Sequence, residues 1–300
     1  MENTIAVFTH NVVPLFAEAR SSSEQISQGL MGDQVHVLAQ ADDFVHVRTL
    51  DDYTGWVRDS HLSRTPILTP EQPLKETYPN AYAAIVGQAF ADVWMAPDRY
   101  TLETKLVWGT RVTVVETVLQ RDGNFAHLRL PWGRYDIAGW PDVNAYVLTE
   151  TLEIPTPAAE FDGRTAAELA HRFIGTPYLW GGGTPFGFDC SGFVQRIYSV
   201  LGITIPRDAY LQAQCPLGTF REPGKSLRAG DLVFFAGQSD PRGRGITHVG
   251  IALDNSFFIH AYGKTGVTLS PFDHHEIRDT YTYRGSWRVA LSRIKAAKRA

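Results

Sequence analysis

One cysteine in this chain stands where a thiol nucleophile would be activated. Cys190 follows Asp189, and aspartate is a residue type favoured at the N-cap of a helix. Apolar residues then recur at a spacing of four: Phe193, Ile197 and Leu201. This pattern predicts a helix that begins at Cys190, whose first-turn N–H groups favour a thiolate and provide a candidate oxyanion hole. A lone cysteine is more often a small buried residue, but the context here favours a nucleophile. A position at a helix start can lower the pKa of a cysteine thiol from about 8.5 to below about 7.

A cysteine nucleophile needs a histidine base from another element of the fold. Among the ten histidines, His248 opens an alternating strand at 248–253, and small residues share its face of that strand. His260 lies in the next strand, 257–262, within reach of its neighbour. Each histidine alone is more often a surface or core residue. Together they predict a base, His248, and a second histidine, His260, that fixes its tautomer and ring plane.

Composition and charge argue against several classes of protein. The 300 residues are 44% hydrophobic and 20% charged, with a net charge of −4, which is typical of a globular protein of two or three domains rather than a nucleic-acid binder. No apolar run approaches the ~20 residues that span a bilayer. The N-terminus lacks the pattern of an export signal. We therefore expect no membrane partner and a cytoplasmic location, or an extracytoplasmic one if a native signal has been removed.

The second cysteine carries no chemistry of its own. Cys215 precedes a proline and has no histidine near it in sequence, and the chain contains no CxxC pattern that would hold zinc. We expect Cys215 to be structural or incidental, and we expect no metal or cofactor.

The first half of the chain contains a repeat of three pieces in the same order. Residues 32–38 recur as 109–115, residues 44–48 as 125–129, and residues 53–57 as 137–141. Each piece alternates apolar and polar residues, as half-buried strands do. The repeat predicts two small β-barrels, at 1–65 and 80–152, and a Gly-Trp pair near the last strand resembles the bacterial SH3-like module. The proline-rich stretch 66–79 is predicted to be a linker.

The second half changes to an α+β pattern. Apolar residues fall at helical spacing from Arg164, with Asp162 or Thr165 as the candidate cap. The helix at Cys190 follows, and then three strands at 231–236, 248–253 and 257–262. Helices followed by antiparallel strands predict one α+β domain over 158–300.

Six motifs of this domain closely resemble the NlpC/P60 family of papain-like cysteine peptidases. In order they are 178–182 (YLWGG), 189–193 (DCSGF), 206–208 (PRD), 229–235 (AGDLVFF), 248–251 (HVGI) and 259–261 (IHA). The resemblance covers roughly residues 160 to 290. With two SH3-like modules in front, the chain resembles the YkfC-type γ-D-glutamyl-L-diamino acid endopeptidases of that family. The expected fold is therefore two small SH3-like β-barrels followed by an α+β, papain-like catalytic domain.

The resemblance implies four catalytic positions. Cys190 would be the nucleophile, His248 the base and His260 the third polar residue. Tyr178 matches a tyrosine whose hydroxyl helps to hold the oxyanion.

The resemblance also implies substrate-binding positions, which are Asp189, Ser191, Trp180, Asp208, Tyr53 and Glu18. Asp208 would bind the free α-amine of an N-terminal L-Ala, with Tyr53 and Glu18 contributed by the first SH3-like module. Arg207 would either help to bind the carboxylate of D-Glu or pair with Asp208. The sequence departs from the family at Ala209, where relatives often carry serine, so we expect a hydroxyl contact to be missing there.

The implied activity is hydrolysis of the γ-D-glutamyl-L-diamino acid bond in murein peptides with a free N-terminal L-Ala, in cell-wall recycling. It requires no protein partner. Two alternatives stay open: a hydrolase of intact peptidoglycan whose SH3-like modules bind the wall, and an amidase or acyltransferase on the same fold. The sequence leaves the choice between diaminopimelate and lysine open.

Overall fold

The computed structural model describes residues 4–64, 78–121, 123–131, 144–237 and 245–297. Most of the predicted linker 66–79 lies outside these residues. The chain divides into two compact units, Met1–Pro155 and Thr156–Ala300. Within the described parts of both units, we find no helix whose length and hydropathy would let it span a membrane.

The first unit contains two antiparallel sheets of seven strands each. The strands of the first sheet are β1 (Thr4–Phe8), β2 (Val12–Phe16), β3 (Gln25–Leu30), β4 (Gln34–Ala41), β5 (Phe44–Thr49), β6 (Thr54–Arg58) and β7 (Leu62–Ser63). Those of the second are β8 (Tyr82–Val86), β9 (Phe90–Trp94), β10 (Leu102–Val107), β11 (Arg111–Gln120), β12 (Gly123–Arg129), β13 (Ala145–Leu148) and β14 (Leu152–Glu153). Short 3-10 helices, Asp59–His61 and Thr149–Thr151, precede the last strand of each.

Both sheets have the same topology. The first follows the order β3-β2-β6-β5-β4-β1-β7 and the second the order β10-β9-β13-β12-β11-β8-β14, so each strand has a counterpart seven places later. The predicted pair of small β modules is confirmed.

A glycine marks the same turn in each module. Gly32 and Gly109 have φ angles of 86° and 88°, a left-handed conformation that glycine adopts without steric cost. The N–H of Gly32 donates to the carbonyl of Phe8 at 2.8 Å, and that of Gly109 to the carbonyl of Val86 at 2.9 Å. The first piece of the sequence repeat therefore begins at equivalent turns.

The third piece of the repeat, predicted at 137–141, lies outside the described residues. Among the described strands, β13 takes the place in the second sheet that β6 takes in the first. On β6 the ring of Trp56 stacks on His46, with centroids 4.8 Å apart. On β13 the ring of Tyr146 stacks on His127 in the same way, at 4.7 Å. Among the described residues, Tyr146 is therefore the counterpart of Trp56.

The second unit combines helices with one six-stranded sheet. Its helices are α1 (Gly163–His171), α2 (Cys190–Val200), α3 (Ala209–Gln212), α4 (His275–Thr280) and α5 (Leu291–Ala297), after a 3-10 turn at Ala158–Glu160. A small hairpin joins β15 (Gly183–Thr184) to β16 (Gly187–Phe188). The sheet contains β17 (Gly218–Arg221), β18 (Leu232–Gly237), β19 (His248–Ala252), β20 (Phe257–Tyr262), β21 (Gly266–Pro271) and β22 (Tyr281–Val289). Its antiparallel strands follow the order β17-β22-β18-β19-β20-β21.

The predicted helices and strands of this unit lie within a residue or two of their expected positions. Asp162 caps α1, since its carboxylate accepts the N–H of Arg164 at 3.0 Å. Asp189 caps α2, as the sequence predicts.

The sheet is packed against helices and carries an apolar cluster. Helices α1 and α2 contact β19 and β20. The apolar cluster includes Phe235 on β18, Ala252 on β19 and Phe258 on β20. Because side chains alternate along a strand, His248 and His260 lie on the same face as this cluster. Both histidines are therefore held inside the protein rather than at its surface.

Candidate active site

The start of α2 is fixed by the side chain of Asp189. One of its carboxylate oxygens accepts the N–H of Gly192 at 2.7 Å, and the other accepts the N–H of Gly181 at 3.0 Å. A side chain at Gly192 would overlap the carbonyl oxygen of Gly182. The glycine-rich segment can therefore lie directly on the first turn of α2, where Cys190 is the first helical residue.

A buried ion pair supports the same turn. The guanidinium of Arg207 contacts both carboxylate oxygens of Asp189, at 2.5 and 3.1 Å, and donates to the hydroxyl of Ser191 at 2.9 Å. Arg207 is only 3% exposed. The sequence offered two interpretations of Arg207, and to these the structure adds an ion pair with the helix cap, Asp189. Asp189 and Ser191, predicted to contact substrate, use these side-chain contacts to hold the helix start.

The two predicted histidines lie in direct contact. Nε2 of His248 is 2.6 Å from Nδ1 of His260, and Nε2 of His260 is 3.0 Å from the hydroxyl of Ser270 on β21. This arrangement leaves Nδ1 of His248 as the nitrogen that can accept a proton from a thiol. The backbone N–H of Val249, the residue after His248, hydrogen-bonds the thiol of Cys190. The structure thus brings Cys190, His248 and His260 together.

Aromatic rings enclose the histidines. The ring of Tyr281 stacks on His248 with centroids 4.6 Å apart and planes 15° from parallel, and Phe235 lies 6.0 Å from the same ring. Tyr262 stacks on His260 at 5.6 Å. Burial lowers the pKa of His248 to about 3, and burial together with His248 holds the pKa of His260 well below its usual range. Both imidazoles are therefore neutral at neutral pH.

Burial also shifts the pKa of the Cys190 thiol. Burial, with a smaller contribution from the charge of Asp189, raises its pKa to about 12. The N–H groups of Val249 and Ser191 and the charge of Arg207 act in the opposite direction. The position at the helix start was expected to lower this pKa, but loss of hydration outweighs it, because a buried anion lacks its water shell. The resting site therefore contains a neutral thiol and a neutral imidazole.

Two tyrosines lie close enough to Cys190 for a charge on its sulfur to affect their pKa. Burial, followed by the charge of Cys190, raises the pKa of both Tyr178 and Tyr281 far above the ordinary value. Their hydroxyls therefore keep their protons and can act as hydrogen-bond donors. Tyr178, half-buried and bridged to Phe188, was predicted from the sequence.

The segment that carries Asp208 is tied to the same helix. The amide of Gln212 donates to the carbonyl of Ser191 at 3.0 Å and to that of Pro206 at 2.9 Å. Asp208 is half-buried at the start of α3, where its carbonyl accepts the N–H groups of Leu211 and Gln212. This contact holds the backbone of Asp208 close to the first turn of α2.

The remaining predicted positions are more exposed. Trp180 is 56% exposed, in the glycine-rich segment before β15. Glu18 and Tyr53 belong to the first unit: Glu18 is exposed and pairs with Arg20 at 2.8 Å, and Tyr53 is half-buried between β5 and β6. Their contact with substrate stays a prediction.

Sequence reasoning missed three residues of the site. Ser270, Tyr281 and Gln212 come from elements that were not read as part of it. A signal was available for Ser270 alone, because it lies on an alternating strand that follows the one bearing His260.

Comparison with known proteins gives one family match in each of the two units. The profile of the NlpC/P60 family matches residues 175–285, and that of the bacterial dipeptidyl-peptidase SH3 domain matches residues 15–62. A γ-D-glutamyl-L-lysine dipeptidyl-peptidase of Bacillus cereus is 28% identical over 78% of this chain and 66% of its own length. One of Bacillus subtilis is 26% identical over 81% of this chain and 74% of its own length.

A solved structure supports the fold. The crystal structure of an NlpC/P60 family protein from Bacillus cereus superposes with a TM-score of 0.71, at 22% identity, over 95% of this chain and 99% of that one. At this identity the similarity shows the fold alone, and the substrate has to be argued from the site.

Proposed function

Since the chain is a cysteine peptidase of the NlpC/P60 family with a bacterial dipeptidyl-peptidase SH3 domain ahead of its catalytic domain, we propose that it hydrolyses the γ-D-glutamyl-L-diamino acid bond of murein peptides that carry a free N-terminal L-Ala. The observation that carries the chemistry is the buried Cys190 at the start of α2, next to the strand that begins with His248. The names of the two Bacillus relatives support the substrate class.

The neutral resting pair determines the first chemical step. As the sulfur of Cys190 attacks the γ-carbonyl carbon of D-Glu, its proton passes to Nδ1 of His248, which acts as a general base. The carbonyl oxygen takes up negative charge, for which the N–H groups of the first turn of α2 and the hydroxyl of Tyr178 are available donors. His260 stabilises the imidazolium that forms at His248.

The second half of the reaction returns the site to its starting state. The tetrahedral intermediate collapses, the carbon–nitrogen bond breaks, and His248 gives its proton to the leaving amine of the diamino acid. A water molecule then attacks the thioester and passes a proton to His248. When the carbon–sulfur bond breaks, the proton returns to the sulfur of Cys190.

We further propose that the enzyme recognises the free α-amine of the N-terminal L-Ala. An enzyme that releases an N-terminal dipeptide must recognise the terminus two residues from the bond it breaks, and a carboxylate is the natural partner for an ammonium group. Asp208 is held near the first turn of α2, and we propose that Glu18 and Tyr53 of the SH3-like module join it. An acetylated amine would leave these groups desolvated and unpaired, which costs affinity.

The biological setting follows from that selection. Short peptides with a free L-Ala arise when murein is dismantled, so we propose a role in recycling these peptides, in the cytoplasm. Ser191 and backbone N–H groups are the proposed donors for the α-carboxylate of D-Glu.

Cleavage of L-Ala-γ-D-Glu-diaminopimelate and of its N-acetylated form, followed by mass spectrometry, tests the proposal. We expect the free peptide to be cleaved on the order of 100-fold faster or more, because a buried site for an ammonium rejects a neutral group strongly. The variant Asp208→Asn should lose most of this preference, and Cys190→Ala should cleave neither peptide.

Other outcomes are equally informative. Equal cleavage of both peptides would retain the peptidase but overturn the amine recognition, and would favour a hydrolase of intact wall. Full turnover by Cys190→Ala would overturn the mechanism. A parallel assay of the γ-D-Glu-L-Lys peptide shows whether diaminopimelate or lysine is preferred as the residue that leaves.

A further inference from the structure

The chain of hydrogen bonds that starts at His248 continues beyond His260. Nε2 of His260 lies 3.0 Å from the hydroxyl oxygen of Ser270 on the neighbouring strand β21. In the ladder between β20 and β21, Ser270 is opposite Phe258, two residues from His260 on the same face. Ser270 is 8% exposed and His260 is fully buried. Bulk water therefore cannot take the place of this hydroxyl.

The protons along this chain must be arranged in one order for the site to work. Nδ1 of His248 must be free of a proton to accept one from Cys190, so the single proton of the neutral ring is on Nε2. That N–H then donates to Nδ1 of His260, which must be free of a proton too. The proton of the neutral His260 is therefore on Nε2, where it needs an acceptor, and the hydroxyl oxygen of Ser270 is in that place.

The opposite arrangement would disable the base. If His260 carried its proton on Nδ1, it would donate to Nε2 of His248 and move the proton of His248 to Nδ1. The thiol of Cys190 would then face an N–H group rather than a lone pair. Aromatic rings cover His260, with Phe258 at 4.7 Å and Tyr262 at 5.6 Å between centroids, and these offer no comparable acceptor for its Nε2–H.

We propose that Ser270 is a positioning residue of the active site: its hydroxyl accepts the Nε2–H of His260 and thereby supports the tautomers that leave Nδ1 of His248 ready for a proton. Ser270 touches neither substrate nor the reacting atoms. The proposal rests on the proposed peptidase chemistry of Cys190 and His248, but it concerns a feature of the resting protein that can be measured without substrate.

Nitrogen spectroscopy of the full-length protein tests the tautomers directly. In protein labelled with ¹⁵N-histidine at neutral pH, Nε2 of His260 should appear protonated and Nδ1 unprotonated, with the ring assigned by loss of its signals in His260→Gln. In Ser270→Ala the Nδ1-protonated form of His260 should become detectable. A wild-type His260 protonated on Nδ1 would overturn the proposal, whether or not any peptide is cleaved.

Steady-state kinetics with L-Ala-γ-D-Glu-diaminopimelate provides a second test of the role of Ser270. Removing one hydrogen-bond partner typically weakens the favoured state by a factor of about 3 to 10, so Ser270→Ala should lower kcat by about that factor and leave KM unchanged. Ser270→Thr keeps the hydroxyl and should recover most of the rate. Ser286→Ala is the matched control, because Ser286 is a buried serine on β22, which β18 and β19 separate from β20 in the sheet.

The possible results separate the two proposals. Wild-type kcat in Ser270→Ala, or equal losses in Ser270→Ala and Ser286→Ala, would overturn the role of Ser270. If the wild-type protein does not cleave the peptide, the proposed function fails, and the ¹⁵N spectra still decide the role of Ser270. Melting temperatures of the variants show whether each one is folded.

Discussion

At the scale of single residues, the site combines a cysteine that keeps its proton with a histidine that remains unprotonated. The pKa of Cys190 is raised to about 12 and that of His248 is lowered to about 3, both mainly by burial. Between these values the neutral pair is favoured over a thiolate–imidazolium pair. The hydrogen bonds to the sulfur from Val249 and Ser191 become stronger as charge develops on it, so they assist the attack rather than the resting state.

The protonation state of Cys190 can be measured by titrating its thiol. The ultraviolet absorbance of thiolate in the wild-type protein, minus that of Cys190→Ala, should rise only above pH 9, the ordinary value for a cysteine. Cys215 is present in both proteins and cancels in the difference. A thiolate signal that persists below neutral pH would show a preformed ion pair and contradict the general-base step.

Individual residues also differ in how far the sequence could reveal them. Cys190 and His248 could be predicted because each opens an element whose periodicity is visible locally. Tyr281, Gln212 and the partner of Arg207 could not, because a neighbour across a sheet or a loop is set by tertiary packing and leaves no local pattern. The pKa of Cys190 is raised rather than lowered for a related reason: a helix start is visible in the sequence, whereas the depth of burial is not.

At the scale of elements, the start of α2 depends on the buried pair of Asp189 and Arg207. Replacing Arg207 by Met would leave the Asp189 carboxylate buried and unpaired, so we expect a loss of about 3–5 kcal/mol in the free energy of unfolding. Arg207→Lys keeps the charge but loses the two-pronged contact and should be intermediate. Calorimetric melting measures both losses, and the double variant Asp189→Asn, Arg207→Met should regain part of the stability.

An exposed ion pair provides the control for this effect. Arg20 pairs with Glu18 at the surface, where water screens the attraction between the charges, so Arg20→Met should change the melting temperature little. Equal effects of Arg207→Met and Arg20→Met would mean that Asp189 gains water when its partner is lost, and the turn would then not depend on the pair.

The elements that the structure describes were largely predictable from local patterns. Strand β20 was predicted over the residues that form it, because alternation and turn residues coincide there. Strand β13 of the second module was not predicted, because its four residues, Ala145–Leu148, are all apolar or aromatic and show no alternation. Its pairing with β12 and the stacking of Tyr146 on His127 identify it as the counterpart of β6.

At the scale of the whole molecule, the catalytic machinery and the SH3-like modules have separate cores. Cys190, His248 and His260 all come from the second unit, and each module of the first unit has its own apolar cluster. The exception lies within the first unit. Met31, which directly follows β3 of the first module, is 4% exposed and belongs to the core cluster of the second module, with Val86 and Leu106.

Met31 therefore should make the two modules unfold together. Met31→Ala would open a cavity in the core of the second module, so we expect a loss of about 2–5 kcal/mol, whereas Met31→Leu keeps the volume and should cost less than about 1.5 kcal/mol. Hydrogen exchange should show protection falling in parallel on β4 and β11, one strand from each module. Met95→Ala is the matched control, since Met95 is 36% exposed and its truncation should change little. Loss of protection in β11 alone would mean that the modules unfold separately, and Met31 would then stabilise the second module without coupling it to the first.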